Sequence, residues 1–252
     1  MGQKGSFDVD TTLLVSLSQQ LAAYRSMDVI ANNLANVSTP AFKREQLKFE
    51  EYGAQSQDSA GDQGEPVSFV LDRGVVRDAR EGRLEHTGNP LDLAIDGNGY
   101  FVVQTDNGPR YTRDGHFTLD SEGRIVTEDG NRLQGEGGDI TITHDDGEIH
   151  IANDGTVSGI NGQLGKLRIV TFADENALSE EGANLYTTDQ PAQTATGKVE
   201  QGMIESSNVE PVIEITNMIQ VMRAYQASTN LTEANDNLVR QAIEKLGAVQ
   251  TS

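Results

Sequence analysis

The stretch ANNLANVSTPAF, residues 31–42, decides how the chain is read. It closes a long amphipathic run and holds three asparagines, Asn32, Asn33 and Asn36, ahead of Pro40. Upstream, Leu14, Leu17, Leu21, Tyr24, Ala31 and Ala35 recur at three-four spacing, interrupted only at Asp28, and Leu13, Met27 and Leu34 widen the stripe. That period predicts a helix over 11–36 with Asp10 as its N-cap. Pro40 cannot continue a helix and biases Thr39 to an extended conformation, and Asn36 is expected as a left-handed terminating residue.

A second, longer helix is predicted over 208–246. Asn208 is its expected N-cap, Glu210 lies in a first turn that favours an acid, and Pro211 fits where N–H groups have no intrahelical partner. Val212, Ile215, Met218, Met222 and Tyr225 form one seam. Leu231, Ala234, Leu238, Ala242 and Leu246 continue another, and Gly247 is the expected stop.

Between the helices the period changes. Short β-like runs such as GYFVVQ, RIVTEDG and KLRIVTF alternate with Asp-Gly at 96, 114, 129, 146 and 154 and Asn-Gly at 98, 107 and 161. Such dipeptides supply the positive-φ positions of hairpin turns. The predicted class is α+β: N- and C-terminal helices paired as a coiled-coil-like tube domain, with a central antiparallel all-β domain. The expected boundaries are 1–36 for the first helix, 37–68 for an extended connector, 69–202 for the β domain and 203–252 for the C-terminal helical segment. Residues 53–68 are rich in Gly, Ser, Gln and Asp, which reads as a connector. Neither helix can bury its stripe on a β domain reached through such a connector. The stripes are therefore expected to pair with each other and with helices of other copies.

The charge is distributed to match. The chain of 252 residues carries −20 in all, of which residues 53–202 hold −16, residues 1–52 hold −1 and residues 203–252 hold −3. An acidic middle repels phosphate and argues against a nucleic-acid surface. Near-neutral ends can pack without strong self-repulsion. With no Cys, disulfides and thiolate metal sites are excluded. No apolar run has the length of a spanning helix, and the N-terminus lacks the unbroken apolar core of a cleaved signal peptide.

The candidate motifs carry no recognisable chemistry. His86, His116, His144 and His150 have no metal-ligand spacing. GTVSG at 155–159 has its serine in the wrong place for a nucleophile elbow. Asp92, Asp96 and Asn98 lack the order and the bidentate Glu of a calcium loop, so they read as turn residues. No catalytic, cofactor-binding or metal-binding residue is assigned, and the chain is not expected to be an enzyme.

The assembled blocks carry a resemblance. MDVIANNLANVSTPAFKRE (27–45) resembles the N-terminal signature of the flagellar basal-body rod and hook protein family, and ESSNVEPVIEITNMIQVMRAYQASTN (205–230) resembles its C-terminal motif. NPLDLAIDGNGYFVVQT (89–105) and RYTRDGHFTLDSEGRIVTEDG (110–130) resemble its β domain. Within the family the layout is most similar to the proximal-rod branch, with the distal-rod branch as the alternative. The resemblance implies a structural subunit of the rod that crosses the periplasm, exported without a cleaved signal. Its implied partners are further copies of itself, other proximal and distal rod subunits, the flagellar export apparatus and the surrounding membrane ring. The implied assembly residues are Leu14, Leu17, Leu21, Tyr24, Met27, Asn32, Asn33, Leu34, Asn36, Pro40 and Phe42 near one end. Near the other they are Asn208, Val209, Ile215, Met218, Ile219, Met222, Tyr225, Leu231 and Leu238. In this setting the asparagine amides are expected to fix register between subunits, as a polar residue does in a coiled coil. The competing reading is a secreted β-domain binding module that dimerises through its helices.

Overall fold

The computed structural model describes the backbone of residues 6–54 and 67–249; the side chains of 6–15, 49–54, 67–73, 242–243 and 245–249 are not described. The chain divides into two compact units, one drawn from residues 1–35, 45–76 and 210–252, the other from 36–44 and 77–209.

The first unit contains helix α1 (Ser6–Ala35), strands β1 (Glu45–Ala54) and β2 (Val67–Arg77), and helix α2 (Pro211–Val249). The two strands pair as a two-stranded sheet. The helices lie against each other, with Ser228 Oγ donating to Ser16 O at 3.3 Å and Gln20 Nε2 donating to Thr232 Oγ1 at 3.5 Å. β1 also rests on α1.

Several boundaries differ from the sequence reading, each for a local reason. α1 begins at Ser6, so Asp10 lies inside it and is not its cap; Ser6 to Val9 contain no Gly or Pro to break it. Asn36 is not left-handed. Its carbonyl accepts from Thr39 N at 3.2 Å and its Oδ1 accepts from Thr39 Oγ1 at 3.1 Å, which closes the turn. The positive φ falls instead on Ala41, at 57°, whose N–H donates to Glu205 O at 2.7 Å. α2 begins at Pro211, not Asn208, because the Glu210 carbonyl takes the N–H groups of Ile213 and Glu214, both at 3.0 Å. It runs past Gly247 to Val249. The expected connector 37–68 is partly strand: β1 occupies residues 45–54, while residues 55–66 lie outside the described residues. KFEEY within β1 carries aromatic side chains that suit a pleated surface better than a coil.

The second unit is built on antiparallel strands. β3 is Leu84–His86, β4 Leu93–Asp96, β5 Tyr100–Thr105, β6 Gly108–Thr112, β7 Phe117–Leu119, β8 Ile125–Thr127 and β9 Arg132–Gly135. β5 is central, pairing with β6, with β9 and with Ile169–Thr171. Its side chains alternate between two clusters, as a period of two requires. Phe101 and Val103 enter the larger one with Leu93, Ile95, Phe117, Ile125 and Leu133. Tyr100 and Val102 enter the smaller one with Val170, Phe172, Leu178 and Tyr186. Phe101 and Phe117 meet edge to face, with centroids 5.3 Å apart at 88°. Gly108, at φ 103°, closes the β5–β6 hairpin, so the Asn-Gly reading there holds.

The late chain completes the early strands. Lys198–Gln201 pairs with β4, and Met203–Glu205, expected as the beginning of the C-terminal helical segment, pairs with β3. The β unit is therefore finished only by residues that immediately precede α2.

Candidate assembly surface

On each terminal helix the burial pattern separates two faces. On α1, Ser16, Gln20, Ala23, Met27, Ile30 and Leu34 are half-buried or buried, at alternating steps of four and three. On α2 the matching set is Glu214, Met218, Val221, Ser228, Thr232 and Asn235, with Tyr225 at its edge. These inward sets mix polar and apolar side chains. Large apolar side chains also point to water: Leu17, Leu21 (59% exposed) and Tyr24 form one row on α1, Val212, Ile215, Ile219 and Met222 form one on α2, and Leu231 and Leu238 are exposed further along α2 on another side of it. Monomeric proteins rarely expose rows of this kind, and burying one such side chain contributes ~1.5–3 kcal/mol.

Asn33 is spent inside the protomer. It is only 1% exposed; its Nδ2 donates to Glu45 O and its Oδ1 accepts from Glu45 N, both at 2.8 Å. One amide thus satisfies both backbone groups of the first residue of β1, as a neighbouring strand would. Asn32, exposed one step away, donates to Glu45 Oε2 at 3.0 Å.

The second unit holds a buried ion cluster. Glu205 accepts from Lys43 Nζ at 2.5 Å, from Arg113 Nε at 2.8 Å and from Gly82 N at 2.8 Å. Arg113 spreads its remaining donors over the carbonyls of Ile95, Gly97 and Gly99 at 3.1–3.2 Å, and Glu81 stands 3.7 Å from it. Burial alone would raise the Glu205 carboxyl; the charges of Arg113 and Lys43 overcome it and hold that carboxyl below its ordinary range. Burial pushes the Lys43 ammonium down against the pull of Glu205. All three side chains are nearly inaccessible, so the cluster costs desolvation that only this full pairing offsets.

Among the described residues no group of His, Asp and Glu is placed to hold a metal ion. His116 pairs with Asp92 at 3.0 Å, and His86 and His150 line an open cleft of about 590 Å3 beside Glu148 and Gln201. Among the described residues no helix is long and apolar enough to cross a membrane.

The chain matches known proteins along most of its length. Three family descriptions match in order along the chain: flagella basal body rod protein at residues 13–43, flagellar hook protein FlgE/F/G D1 domain at 94–159, and flagellar basal body rod FlgEFG protein C-terminal at 200–245. The flagellar basal-body rod protein FlgF of Caulobacter vibrioides is 40% identical over 96% of this chain and 100% of its own length. The rod protein FlgG of Bacillus subtilis is 33% identical over 86% of this chain and 92% of its own. FlgF of Mesorhizobium japonicum is 30% identical over 94% and 98% respectively.

The chain belongs to the flagellar basal-body rod protein family.

For a rod protein the placement of the expected assembly residues is uneven. Leu17, Leu21, Tyr24, Ile215, Ile219, Met222, Tyr225, Leu231 and Leu238 are exposed. Met27, Leu34 and Met218 lie half-buried on the inward faces. The side chain of Leu14 lies outside the described residues. Phe42 and Val209, in the second unit, and Asn33, in the first, are buried in the single chain. Asn208 is reassigned. Instead of capping α2, its Oδ1 accepts from Arg44 N at 2.7 Å and its Nδ2 donates to the carbonyls of Asp78 and Arg80 at 2.9 and 2.8 Å. Asn36 and Pro40 sit half-buried in the turn after α1, with the Pro40 carbonyl accepting from Asn184 at 3.2 Å.

The Lys43–Glu205–Arg113 cluster escaped the sequence reading. Its members are 162 and 92 residues apart, and nothing in their local pattern marks them as partners. The one available signal was that Lys43 lies close to the end of the block 27–45 and Glu205 opens the block 205–230, next to residues already singled out.

Proposed function

We propose that this rod protein, a structural subunit of the flagellar basal body, occupies the proximal rod and polymerises through the outward apolar faces of α1 and α2. The observation that carries this is that large apolar side chains stay exposed on both helices although the helices pack on each other: Leu17, Leu21 and Tyr24 on α1, and Val212, Ile215, Ile219 and Met222 on α2. A rod subunit surrounded by like helices would bury those faces at every contact, in the manner of a multi-stranded coiled coil. The −16 held by residues 53–202 suits a solvated outer layer and disfavours close packing of β unit on β unit. The full-length match to a FlgF favours the proximal place, and the match to FlgG proteins makes the distal place the second reading. The export apparatus is the further expected partner during delivery, and the membrane ring during rotation.

The test is site-specific crosslinking in cells. A photoreactive residue in place of Leu21 or Ile219 should give adducts with rod proteins in purified basal bodies. Recovery of the chain only as a free protein, absent from basal bodies, would overturn the subunit reading. Adducts confined to distal subunits would select the second.

A further inference from the structure

The chain passes between its two units four times, at 35/36, 44/45, 76/77 and 209/210. In the second unit all four passages begin from three segments, 36–44, 77–83 and 203–209, and these are bonded to one another. Ala41 N donates to Glu205 O at 2.7 Å, Asn208 N to Phe42 O at 3.3 Å, Asp78 N to Arg44 O at 2.8 Å and Ser206 N to Arg83 O at 2.8 Å. Gly82 approaches so closely that a Cβ there would stand 1.8 Å from Ser206 O. Into the middle of this knot points the Glu205 carboxylate, which reaches one segment through Lys43, another through Gly82 N, and the core through Arg113. Arg113 in turn grips the carbonyls of β4 and the turn after it.

We propose that Glu205 is the positioning residue that fastens all four chain passages to the β core, so that twisting force carried along the chain enters the β unit at one rigid point. The force itself rests on the rod-subunit reading above; the fastening does not. Ordinary strand pairing could join these segments two at a time. The Asn208 amide also joins all three, at Arg44, Asp78 and Arg80, but the carboxylate ties them to the core as well through Arg113, and it is buried, so water cannot substitute for a missing partner. Lys43 and Arg113 give it a charge match that a neutral side chain could not reproduce.

Hydrogen exchange on the full chain tests the fastening. In Glu205→Gln, the amides of Ala41, Arg44, Asp78, Gly82, Ser206 and Asn208 should exchange faster together, on the order of tenfold or more. Amides of β5 and β9 should keep their rates. Faster exchange at Gly82 alone, whose N–H binds the carboxylate directly, would overturn the proposal, as would equal acceleration throughout the β unit. If Glu205→Gln does not fold, Lys43→Met leaves Glu205 paired with Arg113 and should move the same six amides by a smaller factor. The force is tested separately by bead rotation on cells carrying the folding variant. Assembled rods that fail under viscous drag support it, and a motility loss equal to the loss of rods overturns it.

Discussion

Replacing Asn33 with Ala should detach β1 from α1. The variant removes the acceptor of Glu45 N–H and the donor to Glu45 O, both 2.8 Å bonds at a site 1% exposed. A buried backbone group left unmatched costs about 1–3 kcal/mol; two would cost about 2–6, and because Glu45 is half-buried water recovers part of that. Ala is the better helix residue by roughly 0.6 kcal/mol, which offsets a small part. A net loss near 3 kcal/mol in local opening corresponds to roughly a hundredfold faster exchange of the Glu45 amide. The assay is exchange at that amide in the monomer, beside helix content by circular dichroism. Asn33→Asp should be no better, because a carboxylate oxygen would then face the Glu45 carbonyl. Asn32→Ala, which loses one exposed bond to the Glu45 carboxylate, should move the amide little. Slower or unchanged exchange in Asn33→Ala would refute the clamp. Rods that fail while that amide stays protected would return the asparagine to a contact between subunits.

Leu21→Asp and Met222→Asp alter side chains already exposed in the protomer, so monomer unfolding should shift by no more than about 0.5 kcal/mol while rods and motility are lost; normal swimming would remove the packing proposal. Because the Glu205 carboxyl lies below its ordinary 4.5 when folded, the unfolded chain binds the extra proton in acid, and the stability the cluster contributes is complete above that pH and lost as pH falls through the folded value. Urea midpoints of the wild type and Glu205→Gln should therefore draw together as pH falls below 4.5 and through the folded value. Gly115→Ala should unfold the β unit at lower temperature, since its Cβ would stand 1.5 Å from Leu93 O; the cost should exceed the ~1–3 kcal/mol of an overpacked core, and an unchanged melting curve would contradict that approach.

The sequence by itself determined the kinds of element and their order. Three-four spacing on both sides of a Gly-punctuated middle has no other economical solution, and these signals are local: a period of 3.6 or 2 is read from neighbours within one or two turns. It also placed an apolar stripe on each helix, because Leu17, Leu21, Ile215 and Ile219 stand at regular intervals, and such stripes are expected to pair with each other and with helices of other copies. Tertiary structure alone decided which face turned inward. Ser16, Gln20, Ser228 and Thr232 look solvent-facing by their polarity, yet they meet between the helices, because their hydrogen bonds to one another let them share the inward faces with Met27, Leu34 and Met218. The asparagines show the same division. Their polarity announced a special position, but only the arrival of Glu45 beside Asn33, and of Arg44 beside Asn208, showed that the amides replace missing strand partners instead of capping helices. The Lys43–Glu205–Arg113 cluster was wholly beyond the sequence: a charge is costly or favourable according to what surrounds it, and its surroundings come from residues brought together only when the late strands close the sheet.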